Sequence, residues 1–308
     1  MSELILHHYP MSPFAEKVRL ILGYKQLPWR SVLIPPVMPK PDVVALTGGY
    51  RKTPVLQVGA DVYCDTALIA RVLDARQPDP TLYPASAPLA VPLGQWADNS
   101  LFAAAVSWAM QPAGVAAILG ELPPDVLKAF AADRAAMRAN APRPTLADAT
   151  AQLKQHLTAI AAQLQRGGPW LFGAAPSIAD LCVGHCLWFI RLARPVAYLL
   201  DDYPPIRPWL DRLFAFGHAT STSMDSGEAL AVAAAALAHA PATVAPGLGF
   251  EAGQAVTVAA TDYGVDPVAG ILVGLSLNEA VLRRTDARAG TVHVHFPRCG
   301  FQIKADKT

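Results

Sequence analysis

The most constraining feature of the chain is the segment 4–22, where a short apolar run, a proline-containing turn and an amphipathic stretch follow one another. Leu4–Leu6 predicts a buried strand, Pro10 and Pro13 interrupt it, and apolar residues then recur at helical spacing. Ser12 therefore lies where a strand ends and a helix begins. The first N–H groups of a helix lack intrahelical partners and stabilise an anion such as a thiolate. A hydroxyl there can donate a hydrogen bond to sulfur and favour its ionised form, whereas the alternative is that Ser12 is only the helix N-cap.

The composition of the chain limits which partners and functions are possible. The 308 residues suffice for two or three domains, and 25 basic against 24 acidic residues leave a net charge of +1. No overall field attracts nucleic acid or an acidic membrane, so we expect a small-molecule partner, no nucleic acid and no membrane. The sequence has no uninterrupted apolar run of about 20 residues, which is the length that a helix needs to span a bilayer. It also has no signal-like N-terminus, and its four cysteines are scattered, so we expect a cytoplasmic protein.

The first eighty residues predict an ordered series of elements. After the first helix, Trp29–Ile34 predicts a second strand, and the crossover indicates that it runs parallel to the first. Asp42–Leu46 predicts a short helix after a proline-rich loop. Val55–Val58 and Asp61–Cys64 then predict a hairpin, followed at once by another helix.

This order resembles the thioredoxin-like domain of the cytosolic glutathione transferases. The resemblance rests on Ser12-Pro13-Phe14, on Thr53-Pro54 before the hairpin, and on Asp65-Thr66 opening the last helix. The Ser-Pro-Phe sequence is most similar to the serine-type classes. The resemblance implies an α/β thioredoxin-like N-terminal domain, an all-α second domain, a homodimer, and a role in detoxification.

The resemblance also implies that glutathione is the co-substrate and that Ser12 is the catalytic residue. Pro54 would then form a cis peptide bond, and Thr53 would bind the cysteinyl backbone of glutathione as an added strand. Asp65 would pair with the γ-glutamyl ammonium, and Thr66 at a helix N-terminus would hold its carboxylate. Without the family spacing, the alternatives are a strand-start proline and an ordinary Asp/Thr helix cap.

The glycyl end of the site is less well defined by the sequence. Lys52 and Lys40 are the candidates to meet the glycyl carboxylate, and the alternative is that both are solvated surface lysines. Phe14, beside Ser12, is assigned to the cofactor-binding set. Residues 48–51 read Gly-Gly-Tyr-Arg where relatives often have an asparagine and a proline.

Beyond a proline-rich linker the pattern becomes helical. Ser177–Asp180 has the form of a capping box, which in the family starts a buried helix of the second domain. We expect the helical domain to provide an apolar wall for the electrophile, and we assign Tyr9 and Trp108 to substrate binding, although most such residues belong to the core. The predicted divisions are 1–78 (thioredoxin-like), 79–92 (linker), 93–224 (all-helical) and 225–308 (an Ala-rich segment plus a small β module).

Two groups of side chains suggest a metal site. Cys182, His185 and Cys186 share a helix face, but the helix is apolar and we expect them to be buried core residues. His293 and His295 lie on the same face of a predicted strand, and Cys299 is the one further candidate ligand near them in the sequence. We therefore expect this face to be polar and solvated. We therefore expect no metal cofactor.

The C-terminal segment lies outside the usual length of the family. Glu228–His239 predicts an Ala-rich helix, and the rest predicts a small antiparallel β module, for which we expect a barrel-like arrangement. Its six basic and six acidic residues between 251 and 308 balance, which does not support nucleic-acid binding. The predicted strands are Ala255–Ala259, Gly270–Leu275, Ala280–Arg284 and Thr291–Phe296.

The leading hypothesis is a glutathione transferase that conjugates or reduces small electrophiles with a thiolate stabilised by Ser12. The alternative is a non-catalytic relative that carries a ligand or binds a protein partner, because a fold does not imply a function. Thiol–disulfide exchange is a third possibility, but Ser12 lacks the sulfur that a mixed disulfide requires.

Overall fold

The computed structural model describes residues 2–120, 122–138 and 144–306. Four strands of the first domain are arranged with β1 parallel to β2 and antiparallel to β3, which is antiparallel to β4. This confirms the predicted thioredoxin-like fold class. The elements are β1 (Ile5–His8), α1 (Pro13–Tyr24), β2 (Trp29–Leu33), α2 (Pro41–Thr47), β3 (Val55–Val58), β4 (Asp61–Cys64) and α3 (Thr66–Arg76).

Helix α1 begins where the local sequence predicts. Ser12 is its N-cap and accepts a hydrogen bond from the Ala15 N–H at 3.2 Å. Pro13 takes the first helical position, where its missing N–H costs nothing. Residues 15–23 of this helix are all buried, Val18 and Ile21 completely, so the helix is enclosed between the sheet and the helical domain.

The second domain is helical, as expected. Asp180 starts α9 by accepting the Ser177 N–H at 2.9 Å, and it also accepts the Leu171 N–H and the Trp209 indole. Among the described residues no single helix is long and apolar enough to span a membrane. One sharply bent pair of helices, 90–109 with 112–119, has the required length and apolar composition when the two are taken together. The helices are α4 (Ala90–Trp96), a π-helical turn (Ala97–Leu101), α5 (Phe102–Ala109), α6 (Pro112–Leu119), α7 (Pro124–Arg138), α8 (Leu146–Gly167), α9 (Ile178–Leu192), a 3₁₀ helix (Arg194–Asp202) and α10 (Ile206–Phe214).

The C-terminal β module extends the first domain's sheet instead of closing on itself. Across the described residues the strand order is β10-β6-β7-β8-β9-β4-β3-β1-β2-β5, with β9 parallel to β4. The expected barrel-like arrangement is therefore wrong, because the open edge of β4 provides unpaired backbone groups that β9 satisfies. The elements are β5 (Ser221–Ser223), α11 (Ser226–Ala235), β6 (Ala255–Ala260), β7 (Val268–Leu275), β8 (Glu279–Asp286), β9 (Gly290–Pro297) and β10 (Phe301–Ala305).

Two further expectations for this segment need correction. The helix predicted over Glu228–His239 ends at Ala235, because Ala236 is extended and the chain turns away to reach β4. His295, expected on a solvated face, is 2% exposed, and the His293 side chain is 13% exposed. The Tyr63 ring of β4 packs on His295 and the His239 ring stacks on His293, so these two side chains cover the face that the strand pattern alone leaves open.

The sheet separates two apolar cores. On one face, α1 and α3 pack with the helical domain into a single large cluster. On the other face, α2 and α11 pack with the β module into a second cluster that includes Phe296 and Leu282. The added module thus shares a core with the first domain.

Candidate functional site

The predicted glutathione-site residues of the first domain lie at one end of the sheet. His7 of β1 lies opposite Val55 of β3, and Val55 lies opposite Cys64 of β4. The carboxyl end of β1, the amino end of β3 and the carboxyl end of β4 therefore meet there. Ser12 follows the first of these ends, Thr53 precedes the second, and Asp65 follows the third.

Ser12 is positioned by the turn before α1. Its N–H donates to the Tyr9 carbonyl at 3.2 Å, and its Oγ accepts the Ala15 N–H. The hydroxyl proton remains available to a second acceptor, because the bond from Ala15 uses only a lone pair of the oxygen. Ser12 is only 2% exposed, so little of its surface faces solvent.

Thr53 and Lys40 form the next part of the site. The Thr53–Pro54 bond is cis, as the resemblance implies. Among the described residues, none hydrogen-bonds to the backbone N–H or carbonyl of Thr53. Lys40 Nζ donates to Thr53 Oγ1 at 3.0 Å and to the Arg51 carbonyl at 3.2 Å. Burial, followed by the positive charge of Arg134, lowers the pKa of Lys40 to about 8.

Asp65 and Thr66 begin α3 as predicted. The Asp65 carboxylate accepts the Ala67 N–H at 2.8 Å, and its backbone has a φ of 72°. An aspartate in this left-handed region is uncommon and costs on the order of 1–3 kcal/mol. Burial raises the pKa of Asp65 despite the hydrogen bond from Ala67 and the charge of Lys17. Thr66 is buried at the helix N-terminus.

Lys52 contacts the added β module. Its Nζ lies 2.5 Å from Asp262 and 4.2 Å from the centre of the Tyr263 ring. Burial, followed by the negative charges of Asp262 and Asp65, raises the pKa of the Tyr263 hydroxyl. The loop 261–267 between β6 and β7 therefore reaches the glycyl end of the predicted site. Sequence reasoning missed Asp262 and Tyr263, because no local signal links them to Lys52.

Helix α7 contacts the same corner from the helical domain. Arg51 forms an ion pair with Asp133 at 2.5 Å, and Arg134 donates to the Pro36 carbonyl. The Gly264 N–H donates to the Met137 carbonyl at 2.7 Å, which joins α7 to the β6–β7 loop.

The three aromatic residues assigned from the sequence lie in different places. The half-buried Tyr9 has its ring 5.9 Å from Lys40 Nζ, within the predicted site. Phe14 packs against Phe102 and His185 and so contacts the helical domain. Trp108 is buried, and its indole donates to the Val196 carbonyl at 2.9 Å. Tyr9 therefore lies next to Lys40 of the predicted site, whereas the Phe14 and Trp108 side chains contact residues of the helical domain.

A buried ion pair joins α1 to the helical domain. Lys17 Nζ lies 2.6 Å from Asp98 Oδ2, and His185 Nε2 lies 2.9 Å from Asp98 Oδ1. Burial alone would raise the pKa of Asp98, but Lys17 and His185 outweigh it and lower that pKa. His185, Cys182 and Cys186 are all buried, which confirms their predicted location in the core.

A small cavity of about 100 Å³ lies beside α3, between α4, α9 and the β module. Arg71, Asp98, Cys182 and Cys299 are among its lining residues. Ligand pockets usually have volumes of about 300–1,000 Å³, so this space is below the usual size for an organic substrate.

A thioredoxin-like domain with this site, joined to an all-helical domain, defines the glutathione S-transferase class. Family models agree: the N-terminal domain of glutathione S-transferase matches residues 6–81, and the C-terminal domain matches residues 129–212. The chain is 44% identical to a GST-like protein from Pseudomonas syringae, covering 99% of this chain and 100% of that one, with a TM-score of 0.82. The chain belongs to the glutathione S-transferase family.

More distant structures share the fold. A glutathione S-transferase from Rhodospirillum rubrum F11 is 22% identical over 69% of this chain and 88% of its own, with a TM-score of 0.51. One from Methylobacillus flagellatus KT, solved with glutathione bound, is 22% identical over 71% of this chain and 100% of its own, with a TM-score of 0.52. The comparison with curated proteins found no match.

Proposed function

We propose that the chain is a serine-type glutathione transferase that conjugates or reduces small electrophiles. The observation that carries this proposal is the placement of Ser12, Thr53 and Asp65 at one end of the sheet in a member of this family. A homodimer, a cytoplasmic location and a role in detoxification belong to the same proposal.

Each part of glutathione has a fitting group. The backbone of Thr53, which has no hydrogen-bond partner in the described part of the chain, suits the cysteinyl peptide, which would extend the sheet by one strand. The Asp65 carboxylate suits the γ-glutamyl ammonium, and the N-terminus of α3 at Thr66 suits the adjacent carboxylate. Lys40 Nζ, already within 3.0 Å of Thr53, suits the glycyl carboxylate.

Glutathione supplies the nucleophilic sulfur, which bonds to the electrophilic carbon as the leaving group departs with its electron pair. The protein contributes the Ser12 hydroxyl, which donates a hydrogen bond to the thiolate, and the positive end of the α1 dipole. Holding the sulfur in place converts a bimolecular encounter into a positioned attack.

Retention on immobilised glutathione, followed by assays with aryl halides, epoxides and peroxides, tests the proposal. We expect retention and turnover with at least one electrophile. The low exposure of Ser12 and the contact of loop 261–267 with Lys52 favour the second candidate, a non-catalytic ligand carrier or interaction protein. Retention without turnover of any electrophile would support that candidate.

Lys40 predicts a pH dependence of binding. Its pKa near 8 means that it is charged below pH 8, and only the charged form attracts the glycyl carboxylate. The affinity for S-methylglutathione, which has no thiol to titrate, should therefore be constant up to about pH 8 and fall above it. The part of the loss that comes from Lys40 should be about 10–100-fold, the value of a hydrogen bond to a charged group. Calorimetric titration of the wild type and of Lys40→Arg measures this, and the arginine variant should keep only the smaller fall that comes from deprotonation of the γ-glutamyl ammonium. An equally steep fall in the variant would contradict the assignment.

The Lys52–Asp262 ion pair predicts that the β module competes with glutathione for Lys52. Asp262→Asn removes the competing charge and should tighten glutathione binding by up to about fivefold, because such surface pairs contribute about 0.2–1 kcal/mol. The gain should vanish in a Lys52→Met background. A gain that persists without Lys52 would show that the aspartate acts through another group.

A further inference from the structure

A cluster of histidines lies at the junction between the first domain and the β module. Parallel pairing of β9 with β4 places His293 beside Asp61. The segment after α11 brings His239 to the same place, with its ring stacked on that of His293 at 3.8 Å between centres and 15° between planes. Three segments that are distant in sequence thus contribute to one group.

Three groups that can bind a metal ion lie close together at this junction. Asp61 Oδ1 lies 3.9 Å from His239 Nδ1 and 3.9 Å from His293 Nδ1, and the three atoms lie within 4.8 Å of one another. Zinc bonds of about 2.0–2.2 Å separate tetrahedral ligand atoms by about 3.3–3.5 Å. An ion shared by all three groups therefore requires the ligand atoms to move closer together, and one imidazole to turn out of the stack so that both ring planes meet at the ion.

The two imidazole nitrogens have no other described partner. His239 Nδ1 and His293 Nδ1 are both buried, and among the described residues neither has a hydrogen-bond partner. An unpaired buried polar atom is costly and requires an explanation such as an unobserved ion. A cation between these nitrogens and Asp61 would satisfy both.

The carboxylate is already held in orientation by surrounding groups. His295 Nε2 lies 2.9 Å from Asp61 Oδ1, and His295 Nδ1 lies 2.6 Å from Glu279 Oε1. The Ala240 N–H donates to Asp61 Oδ2 at 2.8 Å. Metal-binding carboxylates typically have this kind of outer support, which fixes the ligand and raises its affinity.

We propose that Asp61, His239 and His293 bind a divalent transition-metal ion, with Zn²⁺ as the ion that this donor set favours. Two imidazoles and one carboxylate suit zinc, and three protein ligands leave a coordination position for water. The side chains of His239 and His293 are 24% and 13% exposed, which gives an ion access from solvent. A bound ion would fasten β4 of the first domain to the β module.

Calorimetric titration of the full-length, chelator-treated protein with Zn²⁺, without glutathione, tests the site. We expect one ion per chain with a Kd of about 1 μM or lower. His239→Ala combined with His293→Ala should weaken binding at least 100-fold, whereas His295→Gln, which removes outer support, should weaken it about 10–100-fold. His156→Ala, a partly buried histidine beside Trp96, is the matched control and should bind like the wild type.

A second measurement does not depend on the folding of variants. Co²⁺ added to the wild-type chain should give the visible absorption of a four- or five-coordinate site, and Zn²⁺ should displace it. Zn²⁺ should also raise the melting temperature of the wild type, because it binds the folded state alone. Absence of stoichiometric binding, or a double variant that binds like the wild type, would overturn the proposal.

Discussion

Ser12→Ala should lower kcat/KM for conjugation by about 10–100-fold, far more than it lowers glutathione affinity, when both are measured below the pKa of the bound thiol. The lost hydrogen bond to a thiolate is worth about 1.5–3 kcal/mol, and each 1.4 kcal/mol is about a factor of ten in rate. The pKa of the bound glutathione thiol should rise by about 1–2. Titration of the thiolate absorbance in the complex, together with rates across pH, measures both effects.

The experiment must separate the loss of the hydroxyl from the loss of the helix N-cap. Ser12→Thr keeps both and should retain most of the activity. Thr145→Ala removes the N-cap of α8, which accepts the Asp148 N–H at 3.1 Å, and should reduce stability without changing the thiol pKa. A thiol in the wild-type complex that ionises no more readily than free glutathione would contradict the role of Ser12.

Asp98→Ala should reduce the free energy of unfolding by about 3–5 kcal/mol, the typical cost of leaving a buried charge without its partner. The Lys17 side chain is fully buried and has Asp98 as its ion-pair partner at 2.6 Å. The same substitution leaves His185 Nε2 without its contact to Asp98. Urea unfolding followed by tryptophan fluorescence measures the change.

Two controls define the cause of that loss. Lys17→Met combined with Asp98→Ala should recover much of the stability, because the unpaired charge is then absent. Asp201→Ala removes an exposed pair with Arg207 and should cost no more than about 1 kcal/mol. Equal losses in the single and double variants at the buried site would show that packing, and not charge, dominates.

The buried pair also predicts the direction of the pH effect. The folded-state pKa of Asp98 is lowered, so its contribution is complete above the unfolded pKa of about 4 and is lost as pH falls through the lower folded value. The Asp98→Ala variant should lack this part of the acid sensitivity.

Local signals in the sequence determined the start of each functional helix and the first domain's order of elements. The Ser12 cap with Pro13 and the Asp65 cap lie where the motifs place them, because cap chemistry depends on neighbouring residues. The cis Thr53–Pro54 bond is predicted only through the family resemblance, because the local sequence by itself favours a trans bond. The Ser177–Asp180 box opens α9 for the same reason.

Only the tertiary structure decided how the C-terminal segment is used. Strand periodicity identifies β9 but not its partner, and pairing with the open edge of β4 buries His295 and brings His293 to Asp61. His239 reaches them because the chain turns away from the helix after Ala235. Contacts between residues so distant in sequence depend on which edges and apolar faces remain uncovered once the domains have folded, and no local pattern encodes that.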